Sequence, residues 1–405
     1  MFRIALAVIA LRILDDNFLQ PAPGTSPADH LVSGLVPLAL LGLVAYAYPR
    51  LTGFWQGTLS MLFGIGGIAV GLDAVYYTRE LGLGSDDVSG FLALGAGVAL
   101  LSLGAVTLFT TRSRDGHRAW RYGRRTLMLA ALYVLAPATI VPVGLAYVTT
   151  HTARAVVPAD ELNTPHETIT FKTNDGLKLE GWYIPSRNGA AVIAFPGRKG
   201  PQRQARMLAR HGYGVLLFDR RGEGRSEGEP NTFGWGGDED VKAAIRYLKT
   251  RPDVDPKRIG GIGLSVGGEM MLEAAAEDKE LAAVVSEGAG ARSIGEMLDT
   301  PGLSTFETAM FGVSYALKDA AMTVITNRTP PAHLKTLVPR IAPRPLLLIA
   351  DPESDNGEKL NRLYIEAARE PKALWEIPHA GHVNGIAARP AEYERRVVGF
   401  FDQAL

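Results

Sequence analysis

The stretch IGGIGLSVGGEMMLEAAAE, residues 259–277, decides how this chain is read. It begins as a short Ile- and Gly-rich strand and continues as a helix with apolar residues at Met270, Met271, Ala274 and Ala275. Between the two lies Gly263-Leu264-Ser265-Val266-Gly267. A G-x-S-x-G between strand and helix places its serine on a strained turn with the hydroxyl presented outward. Only small residues fit two positions before and after that serine, and Gly267 with Gly268 lets the helix approach the strand. The same five residues elsewhere would be a glycine-rich turn; here the context makes Ser265 the candidate nucleophile. The amide of Val266, heading the helix, would point at an oxyanion.

Outward from this turn, β-branched runs alternate with helical stretches. ETITFKT and LKLEGWYI read as an antiparallel hairpin joined at Asn174-Asp175-Gly176. AAVIAFPG, YGVLLFDR, RIGGIGLS, LAAVVSEG, RPLLLIA and ALWEIP read as further strands. GDEDVKAAIRYLKTRPDV is a helix with acids first and bases last, which suits the helix dipole. PAEYERRVVGFFDQAL ends the chain as a helix turning Val397, Val398, Phe400 and Phe401 to the core. This alternation predicts a mostly parallel sheet with helices on both faces over residues 167–405, after a linker at 151–166.

Three more segments resemble a known family. AFPGRKG stands where α/β-hydrolases carry a strand followed by His-Gly-x, LLFDRRGEGRSEG is similar to their Asp-x-Arg-Gly-x-Gly-x-Ser turn, and IPHAGHVNG to their histidine segment. The chain from about Glu167 onward resembles esterase-like α/β-hydrolases in which the catalytic domain follows membrane helices. The resemblance implies a triad in the order serine, acid, histidine. It points to His382 over His379, with His333 too early in the chain. The acid would follow the strand PLLLIA, where Asp351, Glu353 and Asp355 compete; Asp355 fits the family placement best and Asp351 comes next. The amide of Arg198 would join that of Val266 in the oxyanion hole, although Pro196 replaces the family histidine. Arg198 and Lys199 either favour an acidic substrate or are exposed loop cations. Asp219, Arg221, Gly222, Gly224 and Ser226 are read as holding their turn.

The connection from the strand ending near Gly288 to the one beginning near Pro345 is long enough for a helical lid at about 291–343. Its Phe306, Met310, Phe311, Tyr315, Leu317 and Met322 either line an apolar acyl pocket or pack the lid onto the sheet.

The first 150 residues have a different physics. Apolar runs at 31–48, 58–77, 88–109 and 126–148 carry almost no charge, each long enough at ~1.5 Å per residue to cross a core of ~30 Å with help from its flanks. FRIALAVIALRIL at the start is a shorter candidate, giving four or five transmembrane helices. Tyrosines at 46, 48, 76, 77 and 147 cluster at run ends, as in an aromatic belt. Arg112, Arg114, Arg118, Arg121, Arg124 and Arg125 mark one connection as cytoplasmic. The expected product is an integral protein of the plasma membrane with its catalytic domain on the extracytoplasmic side. Asp73, inside the second run, falls within a turn of Tyr76 and Tyr77 and is given no role.

Composition limits the alternatives. The 42 basic and 42 acidic residues balance, so no nucleic-acid partner is expected. With no cysteine there is no disulfide framework, thiolate metal site or cysteine nucleophile. The expected activity is hydrolysis of carboxylic esters or related small acyl substrates at a bilayer, needing no metal or cofactor. A serine peptidase of the same fold, a non-catalytic membrane sensor, and chemistry within the membrane half are the rivals.

Overall fold

The computed structural model describes residues 1–20, 27–81, 87–110, 123, 126–127, 141–151, 154, 156–198, 200–228, 230–354 and 358–405. The chain divides into two units. One comprises Met1–Pro137 with His151–Ala155, and the other Ala138–Thr150 with Val156–Leu405.

The first unit is helical: α1 (Phe2–Leu14), α2 (Leu31–Ala47), α3 (Gly53–Leu81) and α4 (Asp87–Thr110). By length and composition, α3 over Gly53–Leu72 and α4 over Val88–Thr110 could each cross a membrane. They pack through glycines spaced seven residues apart, Gly57, Gly64 and Gly71 on one and Gly90, Gly97 and Gly104 on the other. A Cβ on Gly64 would sit 2.7 Å from the Leu101 nitrogen, and one on Gly97 2.5 Å from that of Ile68. Backbones this close are how helices associate where lipid removes the hydrophobic drive between them. Outward, Leu72, Leu92, Val98, Val106 and Phe109 are exposed. Arg12, a cation inside apolar α1, is buried, pairs with Asp16 at 2.7 Å and donates to Ser89 Oγ. The side chains of Asp73, Tyr76 and Tyr77, and nearly all of the arginine-rich connection after α4, lie outside the described residues.

The second unit opens with α5 (Val141–Thr150), the end of the fourth apolar run. Its strands are β1 (Glu167–Lys172), β2 (Lys178–Ile184), β3 (Ala191–Phe195), β4 (Gly214–Phe218), β5 (Ile259–Leu264), β6 (Ala283–Glu287), β7 (Leu346–Ala350) and β8 (Lys372–Glu376). They form one sheet in the order β1-β2-β4-β3-β5-β6-β7-β8, antiparallel only at β1–β2 and β2–β4. The helices are α6 (Gln202–Arg210), α7 (Asp238–Lys249), α8 (Val266–Glu277), α9 (Ile294–Leu298), α10 (Thr305–Thr326), α11 (Leu334–Leu337), α12 (Leu360–Ala367), α13 (Gly385–Ala388) and α14 (Pro390–Ala404).

Period-two alternation splits the core. Ile193, Phe195, Leu216 and Phe218 join α7, α8 and α12 on one face. Val192, Ala194, Val215 and Leu217 meet Met207 and Leu208 of α6 and Val397 and Phe401 of α14 on the other. Helices on both faces leave the carboxyl edge of the parallel strands as the open edge, where ligands bind in such sheets. The connection between β6 and β7, where the lid is expected, carries α9, α10 and α11.

Candidate active site

Four loops meet at the carboxyl edge. Ser265 ends β5 with φ 51° and ψ −125°, a backbone that non-glycine residues rarely adopt. Two contacts enforce the turn. The Ser265 amide donates to the Glu287 carbonyl at 2.8 Å, and the glycines beside it let strand and helix touch. A Cβ on Gly263 would meet the Gly267 carbonyl at 2.3 Å, and one on Gly267 would meet Pro196 N at 2.6 Å. The same closeness brings the loop after β3 against the head of α8.

His382, in the loop after β8, places Nε2 2.8 Å from Ser265 Oγ. Its Nδ1 lies 2.6 Å from Oε1 of Glu358, whose carboxylate is almost wholly buried. The other Glu358 oxygen accepts from the Asp351 amide at 2.7 Å, so this carboxylate is held from both ends. Gly288, at φ 72°, makes room: a Cβ there would come 2.6 Å from Val383 Cγ1 and 3.2 Å from His382 Cε1.

Among the described residues the carboxylate on the imidazole is Glu358, which was not among the three weighed from the sequence. Asp355 lies outside the described residues. Asp351 stays at the end of β7 and braces the turn, accepting from the amides of Glu353 at 3.0 Å and Gly381 at 2.8 Å. Against the upward pull of desolvation, these amides and that of His379 hold its carboxyl below the usual range. Glu353 pairs at the surface with Nδ1 of exposed His379 at 2.5 Å. Glu358 instead sits two residues before α12. An acid just ahead of the apolar-periodic LNRLYIEA is the signal a count back from that helix would have found.

The two amides expected at the oxyanion hole stand in different settings. Val266 heads α8, where a helix leaves its first amides without intrahelical partners. The Arg198 amide donates to Asp219 Oδ1 at 3.2 Å. Its side chain is buried, donating through Nε to Asp219 at 2.9 Å and through Nη1 to Glu180 at 3.1 Å. Arg198 is thus an internal brace, not a loop cation facing substrate, because burial of Asp219 demands a charged partner. Desolvation raises the Asp219 pKa, and Arg198 opposes it. Lys199 lies outside the described residues. Arg221, paired with Asp240 at 2.7 Å, and Ser226, bonded to the Asp219 carbonyl, hold the turn after β4.

Glu287, not singled out from the sequence, lies beneath the histidine loop. Its buried carboxylate accepts from the Gly385 amide at 2.8 Å and from the Tyr393 hydroxyl at 2.6 Å. Burial raises its pKa, while Tyr393 and Gly385 oppose the shift. In the cap, Met322 is buried with Ala146 and Trp235, whereas Met310 and Phe311 are exposed. The Phe306 side chain lies outside the described residues. Among the described residues no cluster of three or more His, Asp or Glu could hold a metal ion.

Residues 158–307 match the X-Pro dipeptidyl-peptidase (S15) family. The uncharacterized protein YfhR of Salmonella typhimurium is 32% identical over 260 residues, 59% of this chain and 82% of that protein. The polyketide transferase GrgF of a Penicillium species is 38% identical over 135 residues, 30% of this chain and 44% of that protein. Among solved structures, the Pyrococcus furiosus esterase Pf2001 covers 62% of this chain and 98% of its own, at 24% identity and a TM-score of 0.48.

Proposed function

Because the chain belongs to the same family as the YfhR proteins and its second unit has an α/β-hydrolase-like fold, we propose that it is a membrane-anchored serine hydrolase of carboxylic esters or related acyl substrates. The observation that carries this reading is the continuous line from Ser265 Oγ through His382 to Glu358, at 2.8 and 2.6 Å. Such a line activates a hydroxyl that is otherwise a poor nucleophile.

Ser265 Oγ attacks the substrate carbonyl carbon and its proton passes to His382 Nε2. Glu358 fixes the proton on Nδ1 and stabilises the imidazolium. The Val266 amide donates to the oxyanion, and the Arg198 amide joins it by sharing or leaving Asp219 Oδ1. Collapse expels the alcohol, which takes the proton from Nε2. Water, deprotonated by the same nitrogen, then attacks the acyl-enzyme, releasing the acid and restoring Ser265.

The match to the S15 family favours a second reading, a peptidase of the same fold. An amide of an X-Pro dipeptide and a p-nitrophenyl ester separate the two. The anchor reading rests on the four apolar runs, on the spanning length of α3 and α4, and on their glycine-to-glycine packing. The arginine-rich connection would face the cytoplasm and the catalytic unit the extracytoplasmic side, which reporter fusions at residues 118 and 405 would test.

The deciding experiment is fluorophosphonate labelling of the purified full chain beside Ser265→Ala. Labelling lost in the variant is the expected result. A folded wild type that takes no label would overturn the mechanism.

A further inference from the structure

Helix α10 is built inside out. Of its two consecutive charges, Asp319 is buried and accepts from the Ile294 amide at 2.8 Å, and Lys318 is half-buried. The Lys318 ammonium lies 4.8 Å from the centre of the Tyr315 ring. Desolvation pushes its pKa down, although Asp319 and Glu269 pull it up. Glu307, the remaining charge, is spent in the capping box with Ser304.

The exposed face is Ala309, Val313, Ala316, Ala320 and Val324, at helical spacing, flanked by Met310 and Phe311. Val324 is 83% exposed and Val313 52%, and no ionisable group lies among these seven side chains. A cap helix facing water would place Lys318 and Asp319 outside and its valines inside. The reversal gives up favourable solvation on both sides unless the outer medium is itself apolar.

Chain continuity says what that medium is. Ala146 of α5 is buried against Met322, with Ala321 and Ile325 packed beside them. On its other side α5 exposes Val141, Leu145 and Val148. Helix α5 is the end of the apolar run at 126–148, which is of membrane-spanning length. On the anchor reading of that run, the segment that leaves the hydrocarbon ends directly against the cap.

We propose that the outer face of α10, together with α5, lies in the lipid–water interface of the bilayer, so that the cap meets acyl substrates dissolved in the membrane. The statement about substrates rests on the serine-hydrolase reading, and the contact with lipid rests on the anchor reading alone. A helix seated this way sinks its apolar side about 5–10 Å toward the acyl chains.

The native chain has no cysteine, so single-cysteine probes need no background removed. Val313→Cys, Val324→Cys and a control at exposed Lys279 would carry an environment-sensitive fluorophore in full-length protein reconstituted into phosphatidylcholine vesicles. Quenching by nitroxide-labelled lipid at positions 313 and 324 should exceed that at 279 by about twofold or more, with aqueous iodide giving the reverse order. Iodide quenching equal to that at position 279 would overturn the proposal, since the face would then be in water. Shielding from both quenchers would overturn it equally, since protein would then cover the face. Far-ultraviolet circular dichroism of the same samples shows that the variants are folded, and fluorophosphonate labelling reports separately on Ser265, so the lipid contact can fail while the hydrolase reading stands, or the reverse.

Discussion

Exchanging one oxygen of Glu358 for an NH2 group, in Glu358→Gln, isolates its role with almost no change of shape. The carboxylate has two donors to satisfy, His382 Nδ1–H at 2.6 Å and the Asp351 amide at 2.7 Å. A glutamine has one acceptor oxygen and cannot serve both. If that oxygen stays on the Asp351 amide, the new NH2 faces Nδ1 and forces the proton onto Nε2. The ring can then no longer accept a proton from Ser265. If the oxygen faces Nδ1, the NH2 meets the Asp351 N–H, and a donor buried without an acceptor costs about 1–3 kcal/mol.

The first orientation costs nothing in buried hydrogen bonds, so it dominates and the loss falls on catalysis. A wrong tautomer in a triad lowers kcat on the order of 10⁴-fold, about 5 kcal/mol at ~1.36 kcal/mol per tenfold. Steady-state turnover of a short p-nitrophenyl ester, with a melting curve to show the variant is folded, reads the effect. Asp355→Asn and Asp351→Asn run beside it. Glu358→Gln keeping more than a tenth of wild-type kcat, while Asp355→Asn loses 10³-fold or more, would refute the assignment made from this geometry.

Three more outcomes are expected. Gly288→Ala puts a methyl at φ 72° and 2.6 Å from Val383, displacing the His382 ring; kcat should fall about 10²-fold with KM little changed in the same ester assay. Glu287 has its pKa raised by burial, so its contribution to stability is full below the unfolded value and is lost as pH rises through the folded one. Glu287→Gln should therefore melt relatively higher, against wild type, at pH 8 than at pH 4.5, by thermal scan. Gly64→Leu forces a side chain onto the Leu101 backbone 2.7 Å away, and overpacking of about 1–3 kcal/mol or more should lower the melting midpoint of the first unit in detergent.

What the sequence made legible was local. The elbow could be read because its requirements, small residues two positions either side of Ser265 and a strand turning into a helix, lie within nine residues. The eight strands could be read because alternation is a nearest-neighbour property. The acid could not, since four carboxylates between 351 and 358 differ only in where the loop carries them. Asp351 went to the Gly381 amide thirty positions away, and Glu358 took the imidazole. The same holds for Arg198, whose amide and side chain both meet Asp219, a partner that adjacency along the chain does not reveal. The cap shows a third kind of limit. Its composition is plain, with apolar and charged residues on one helix, but a helical pattern fixes only which residues share a face. Whether Val313 and Val324 or Lys318 and Asp319 look outward is set by partners elsewhere in the chain, such as the Ile294 amide that Asp319 meets. The buried ion pairs of the second unit and the inward Asp319 of its cap meet one requirement: charge turns inward where the protein offers it partners such as the Ile294 amide.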